Sequence, residues 1–93
     1  MPARLTEAHF HRISRALADP RRYDLLRRIG RANDTLPCEE LRGGCAVSAA
    51  TVSHHMKELE TTGLISSTRD GKFVTYRLCR EVLEAYLARL SKI

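Results

Sequence analysis

The chain has 93 residues, 43% of them hydrophobic and 29% charged, with no Trp, a net charge of +5 and a pI of about 9.6. That length allows one domain, residues 1–93, which buries only about two thirds of its unfolded surface if it folds alone, so help from a partner subunit is expected. The apolar content excludes a disordered chain, and no apolar run approaches the roughly 20 residues of a membrane span.

The opening stretch, MPARLTEAHF, lacks the apolar segment of a secretion signal, which makes the cytoplasm the expected location, with the three cysteines reduced. Most of the cations are Arg, whose planar donor fork suits phosphate. The charge balance therefore fits a nucleic-acid partner without requiring one.

Thr6 is a good N-cap for a first helix running to about Ala18, with Phe10, Ile13 and Leu17 at helical spacing. His9 and His11, two apart, do not share a face and are expected at solvent or an interface. Asp19-Pro20 restarts the chain as N-cap and first helical residue, and a second helix turns Leu25, Leu26 and Ile29 inward until Gly30. Arg21, Arg22, Arg27, Arg28 and Arg31 are expected to point outward, and residues 1–35 hold eight Arg against four acids. A polar connection leads to Pro37, placed in the first turn of a short third helix that Gly43-Gly44 ends. Glu39 and Glu40 there complement the positive end of the helix dipole.

The stretch SAATVSHHMKELETTGL, from Ser48 to Leu64, reads as an amphipathic helix with Ser48 as cap and Gly63 as stop. Val52, His55, Met56 and Leu59 form its inner face, which makes His55 a structural histidine. The opposite face collects Ala50, Ser53, His54, Lys57 and Thr61, which are short or polar with a single full charge. Solvated helix faces usually carry long charged side chains, so this one is shaped to lie against a surface. Two strands follow, Ile65 to Arg69 and Lys72 to Leu78, joined at Asp70-Gly71, a pair that favours a type I′ turn. Val74, Tyr76 and Leu78 alternate inward. A last helix, about Arg80 to Ser91, carries Val82, Leu83, Tyr86, Leu87 and Leu90 on one side. The predicted class is mainly α with a small β-hairpin, arranged as a winged helix-turn-helix.

Three blocks, ALADPRRYDLLRRI at 16–29, SAATVSHHMKELETTGLI at 48–65 and RDGKFVTYRL at 69–78, resemble the ArsR/SmtB family of winged-helix transcriptional regulators. The resemblance covers nearly the whole chain, and its middle block is the most specific. It implies a homodimeric repressor joined through its first and last helices, with a recognition helix in the major groove of an imperfect palindrome of double-stranded DNA. The residues assigned to DNA are Ser48, Ala49, Ala50, Thr51, Ser53, His54 and Lys57, with Arg69 and Lys72 at the wing tip. Ala49 and Ala50 offer only apolar contacts where the family often has a polar residue, which shifts discrimination towards DNA shape. The apolar stripes of the two outer helices exceed what a small core covers, so Phe10, Ile13, Leu17, Val82, Leu83, Tyr86, Leu87 and Leu90 are assigned to the dimer interface.

The family's metal sites are not expected. Pro37, Cys38 and Glu39 stand where its Cys-Val-Cys box would be, and the last helix has Glu81 and Glu84 but no His. No cofactor is predicted, and the inducer is open. Two alternative readings stand beside the repressor: a thiol-based redox or soft-metal sensor using Cys38 with Cys45 or Cys79, and a winged-helix module for a protein partner. Cys45 also reads as a core residue. An enzyme is not expected, because the chain has no phosphate-binding glycine loop, zinc-protease helix or nucleophile elbow.

Overall fold

In the computed structural model, which describes residues 4–43 and 48–93, helices α1 (Glu7–Leu17) and α2 (Pro20–Arg31) lead to a short strand β1 (Thr35–Pro37). Helices α3 (Cys38–Gly43) and α4 (Ala49–Thr61), strands β2 (Ile65–Asp70) and β3 (Phe73–Leu78) and helix α5 (Arg80–Ser91) complete the order. The helix starts follow from their caps. The Thr6 hydroxyl accepts from the His9 N–H, the Asp19 carboxylate from the Arg21 N–H at 2.8 Å, and the Ser48 hydroxyl from the Thr51 N–H at 3.2 Å. Each satisfies a donor that the first helical turn leaves open.

The core lies where α1, α2 and α4 meet the sheet. Leu25 and Ile29 of α2, Val52, Met56 and Leu59 of α4, Leu41 of α3 and Tyr76 and Leu78 of β3 are all buried there. Ile13, assigned from its spacing to the dimer interface, is 0% exposed and belongs to this core instead. It sits on the side of α1 that meets α2 and α4, so it has no surface left for a partner.

The connection before the third helix is ordered as a strand. β1 pairs antiparallel with β3, Leu36 opposite Tyr76, and the sheet order is β1-β3-β2. Pro37 is therefore the last strand residue rather than a helix-starting proline. The chain enters β1 through Asn33 and Asp34, both left-handed at φ 57° and 67°, a region these two residue types tolerate. The Asp34 carboxylate accepts from Arg80 at 3.1 Å and 2.5 Å, and its carbonyl accepts from the Leu78 N–H at 2.8 Å. This turn thus ties the start of α5 to the sheet, and the Arg80 guanidinium holds the Asp34 carboxyl below the usual carboxylate range.

The hairpin turn is displaced by one residue from its expected place. Asp70 pairs with Phe73, so the two loop residues are Gly71 and Lys72. Of these only Gly71 has a positive φ, 60°, which is the pattern of a type II′ turn rather than I′.

Candidate nucleic-acid interface

α3 and α4 form the helix-turn-helix, and the elements around them fix α4 in place. Its inner face buries Val52, His55, Met56 and Leu59. Its far end is held from α1, where the His9 Nε2 donates to the Thr62 carbonyl, so His9 serves the monomer rather than solvent. Gly63 turns the chain out of the helix at φ 81°. The Thr62 hydroxyl donates to the Leu59 carbonyl at 2.6 Å and accepts from the Leu64 N–H, which completes the helix end internally.

The outer face of α4 is free. Ala49, Ala50, Ser53, His54 and Lys57 are exposed, while Thr51 is half-buried. The hydroxyls of Ser48 and Thr51 lie 3.0 Å apart, and that of Ser48 also caps the helix, so both already serve helix geometry. Ser53, His54 and Lys57 are further exposed polar side chains of this face. At the wing tip Arg69 and Lys72 are exposed, and the Lys72 ammonium lies 5.9 Å from the ring of Phe73, itself 57% exposed. Glu60 of α4 accepts from Ser67 of β2 at 3.2 Å, linking helix and wing.

Two of the five arginines expected to point outward are structural. Arg22 donates from Nε to the Ala16 carbonyl at 2.7 Å and lies 3.4 Å from the Nδ1 of His55. Arg28 donates to the carbonyls of Leu41 and Glu40 at 3.0 and 2.9 Å, fastening the end of α3 to α2. Periodicity carried a signal for the first: Arg22, Leu25, Leu26 and Ile29 share one stripe of α2. No such signal marks Arg28, whose role depends on a neighbouring helix's carbonyls.

His55 is buried, as its position predicted, and its Nε2 has no hydrogen-bond partner among the described residues. Burial pushes its pKa below the ordinary histidine value, with Arg22, His54 and Arg21 adding to the fall and Asp19 opposing it.

Of the cysteines, Cys38 opens α3 and packs half-buried against the core, and Cys79 is the half-buried N-cap residue of α5 without a side-chain capping bond. Both are free thiols, and Cys45 lies outside the described residues. The β1–β3 register runs Thr35 to Arg77 and Pro37 to Thr75, and Cys38, directly after Pro37, lines one cleft together with Val74. At about 3.3 Å per residue Cys79 is then roughly 16 Å away. That exceeds the Cα separation of about 7 Å a disulfide spans, so Cys38 and Cys79 of one chain form neither a disulfide nor a shared metal site without rearrangement. Beside Cys38, the Tyr76 hydroxyl is pushed up to about 12, chiefly by burial and further by the thiol.

For the interface residues proposed on α1 and α5, the Phe10 ring stacks on Tyr86 at 5.1 Å, and the Ser14 and Tyr86 hydroxyls lie 2.9 Å apart. Leu17, Val82, Leu83 and Tyr86 are half-buried against the core, whereas Leu87 is 52% exposed and Leu90 37%. Among the described residues no helix is long and apolar enough to cross a membrane, and no three His, Cys, Asp or Glu gather as for a metal ion.

Comparison with known proteins agrees with this geometry. Residues 17–68 match the helix-turn-helix domain family. A Halobacterium salinarum protein named for an arsenical resistance operon repressor is 34% identical over 61 residues, covering 66% of this chain and 51% of the relative. The chain thus spans about half the length of that relative. The crystal structure of an ArsR family transcriptional regulator superposes with a TM-score of 0.83 at 26% identity, covering 97% of this chain and 91% of the other. A Mycobacterium bovis domain solved in solution, described as a homodimeric winged helix-turn-helix DNA-binding domain, reaches a TM-score of 0.73 at 21% identity, with 97% and 89% covered.

Proposed function

This chain belongs to the helix-turn-helix domain family, as a winged-helix regulator of the ArsR type, and on that premise we propose that it represses transcription by binding an imperfect palindrome as a homodimer. The observation that carries the reading is the outer face of α4. Its small and polar residues are exposed beside a basic wing tip, on a helix whose inner face is fully committed to the core. Ser53 and His54 are assigned to base edges and sugar-phosphate, Lys57 to a phosphate, and Arg69 and Lys72 to the backbone or minor groove next to the wing. Ala49 and Ala50 leave room for close approach and contribute no hydrogen bonds. Operator shape and deformability then carry part of the specificity.

Selection from random duplex DNA with the purified full chain tests the proposal, run in parallel with reductant, with oxidant and with thiophilic metals. The expected result is a recovered palindrome whose half-sites lie about one helical turn apart. Absence of enrichment at low salt would refute DNA binding and favour a protein partner. A palindrome lost only with oxidant or metal would bring the cysteines back, across protomers or with Cys45, since Cys38 and Cys79 of one chain are too far apart.

A further inference from the structure

A cleft of about 290 Å³ opens on the flank of α4, between its C-terminal turn and the two helices packed beside it. Arg12 and Arg15 of α1, Arg22 of α2, and Glu58 and Thr61 of α4 line it. Arg12 and Arg15 are three apart on α1 and so share a face. Both are exposed, and among the described residues neither side chain has an ion-pair or hydrogen-bond partner. Arg22 differs, because its bond to the Ala16 carbonyl and its contact with His55 fix the plane of its guanidinium at the cleft wall. Three guanidiniums against one carboxylate leave the cleft with a formal charge of +2, and the four groups form no ion pair with one another. Like charges gathered this closely, one of them held rigid, are relieved by an oxyanion, which planar donor forks match.

The position of the cleft names the source of that oxyanion. Thr61 follows His54 and Lys57 along one face of α4, one helical turn past Lys57, or about 6 Å of rise. The cleft therefore continues the proposed recognition face instead of opening on the far side of the molecule. We infer that Arg12, Arg15 and Arg22 bind a backbone phosphate of the operator at the edge of the groove that α4 enters, a contact outside helix-turn-helix and wing. The inference rests on the DNA-binding reading above. Glu58 opposes the phosphate there and holds the contact below its full strength.

The experiment is fluorescence anisotropy of the full chain on its selected duplex across a range of salt. The double variant Arg12→Gln/Arg15→Gln is compared with the charge-matched control Arg4→Gln/Arg31→Gln, two exposed arginines outside the cleft whose chain neighbours Leu5 and Gly30 meet Arg89 and Arg80 of α5. Losing one phosphate per protomer lowers the slope of log K against log salt by about 2 for the dimer. The expected result is that fall in the double variant, a smaller one in the control, and tighter binding by Glu58→Gln. Circular dichroism checks that the variants, altered only at exposed side chains, keep the fold. A double variant that tracks the control, or a Glu58→Gln variant with unchanged affinity, would overturn the inference. So would saturation of the wild-type cleft by inorganic phosphate alone at millimolar concentration with the DNA slope unaltered in the double variant, since the site would then serve a free anion. Wild-type protein that binds no duplex at all would instead refute the DNA reading itself.

Discussion

His55 lies on the inner face of α4, with a buried nitrogen that no group among the described residues satisfies and a guanidinium 3.4 Å from the other. A neutral imidazole can accept from Arg22 at Nδ1, whereas an imidazolium cannot accept at all. Because the folded-state pKa is depressed, the unfolded chain takes up the proton at higher pH than the native one. Stability should therefore be full above the unfolded value of about 6.5 and fall as the pH drops below it, until the folded histidine also titrates. Urea denaturation at about pH 7.5 and about pH 5.5 measures this, and His55→Phe should shrink the difference between the two. An unchanged difference would assign the acid sensitivity to other groups. On the outer face, His54 and Lys57 are distinguishable by the kind of loss they cause. His54→Ala should cost about 1 to 3 kcal/mol on the selected operator and relax preference at one base pair, while Lys57→Gln should weaken all duplexes alike and lower the salt slope by about one per protomer.

Among the elements, the end of α4 is the most constrained. Gly63 holds φ 81°, and a Cβ there would meet the His9 ring at 3.5 Å, the same ring that bonds the Thr62 carbonyl. Gly63→Ala should cost about 1 to 2 kcal/mol from the left-handed backbone. Gly43→Ala, where nothing lies within 4 Å of the added carbon and φ is not positive, should cost little by the same denaturation assay. Helix boundaries were legible because caps and 3.6-residue spacing act locally, as at Thr6, Asp19 and Ser48. β1 was not, since a three-residue strand has no period, and its pairing partner lies some forty residues away in β3. The turn was displaced for a related reason: Asp70 takes part in the ladder, so the register of the whole hairpin decides which residues close it. On the candidate site, the outer face of α4 and the wing cations could be read from sequence. The α1 wall of the arginine cleft could not, because only packing brings Arg12 and Arg15 against Glu58.

At the scale of the molecule, the exposed surface is somewhat above the average for a folded monomer of this size. The chain exposes 6206 Å², against about 5,400 Å² expected for 10.5 kDa. Helix α5 buries no residue fully and leaves Leu87 and Leu90 exposed, on the same helix as half-covered Val82 and Tyr86. With Ile13 withdrawn into the core, the proposed interface draws more on α5 than on α1. Leu87→Glu/Leu90→Glu should therefore give a folded monomer by size-exclusion chromatography with light scattering, since neither side chain supports the protomer's own core. The DNA consequence follows from counting phosphates. A dimer neutralising roughly three to four phosphates per half gives a salt slope of about −5 to −7, and a monomer on one half-site gives about half that. Affinity should drop far more than for any single contact residue, because the second half-site no longer binds as an intramolecular event. A double variant that stays dimeric would move the interface off α5. A monomer that keeps the full slope would mean that one protomer already makes every phosphate contact, and the palindrome would lose its physical reason.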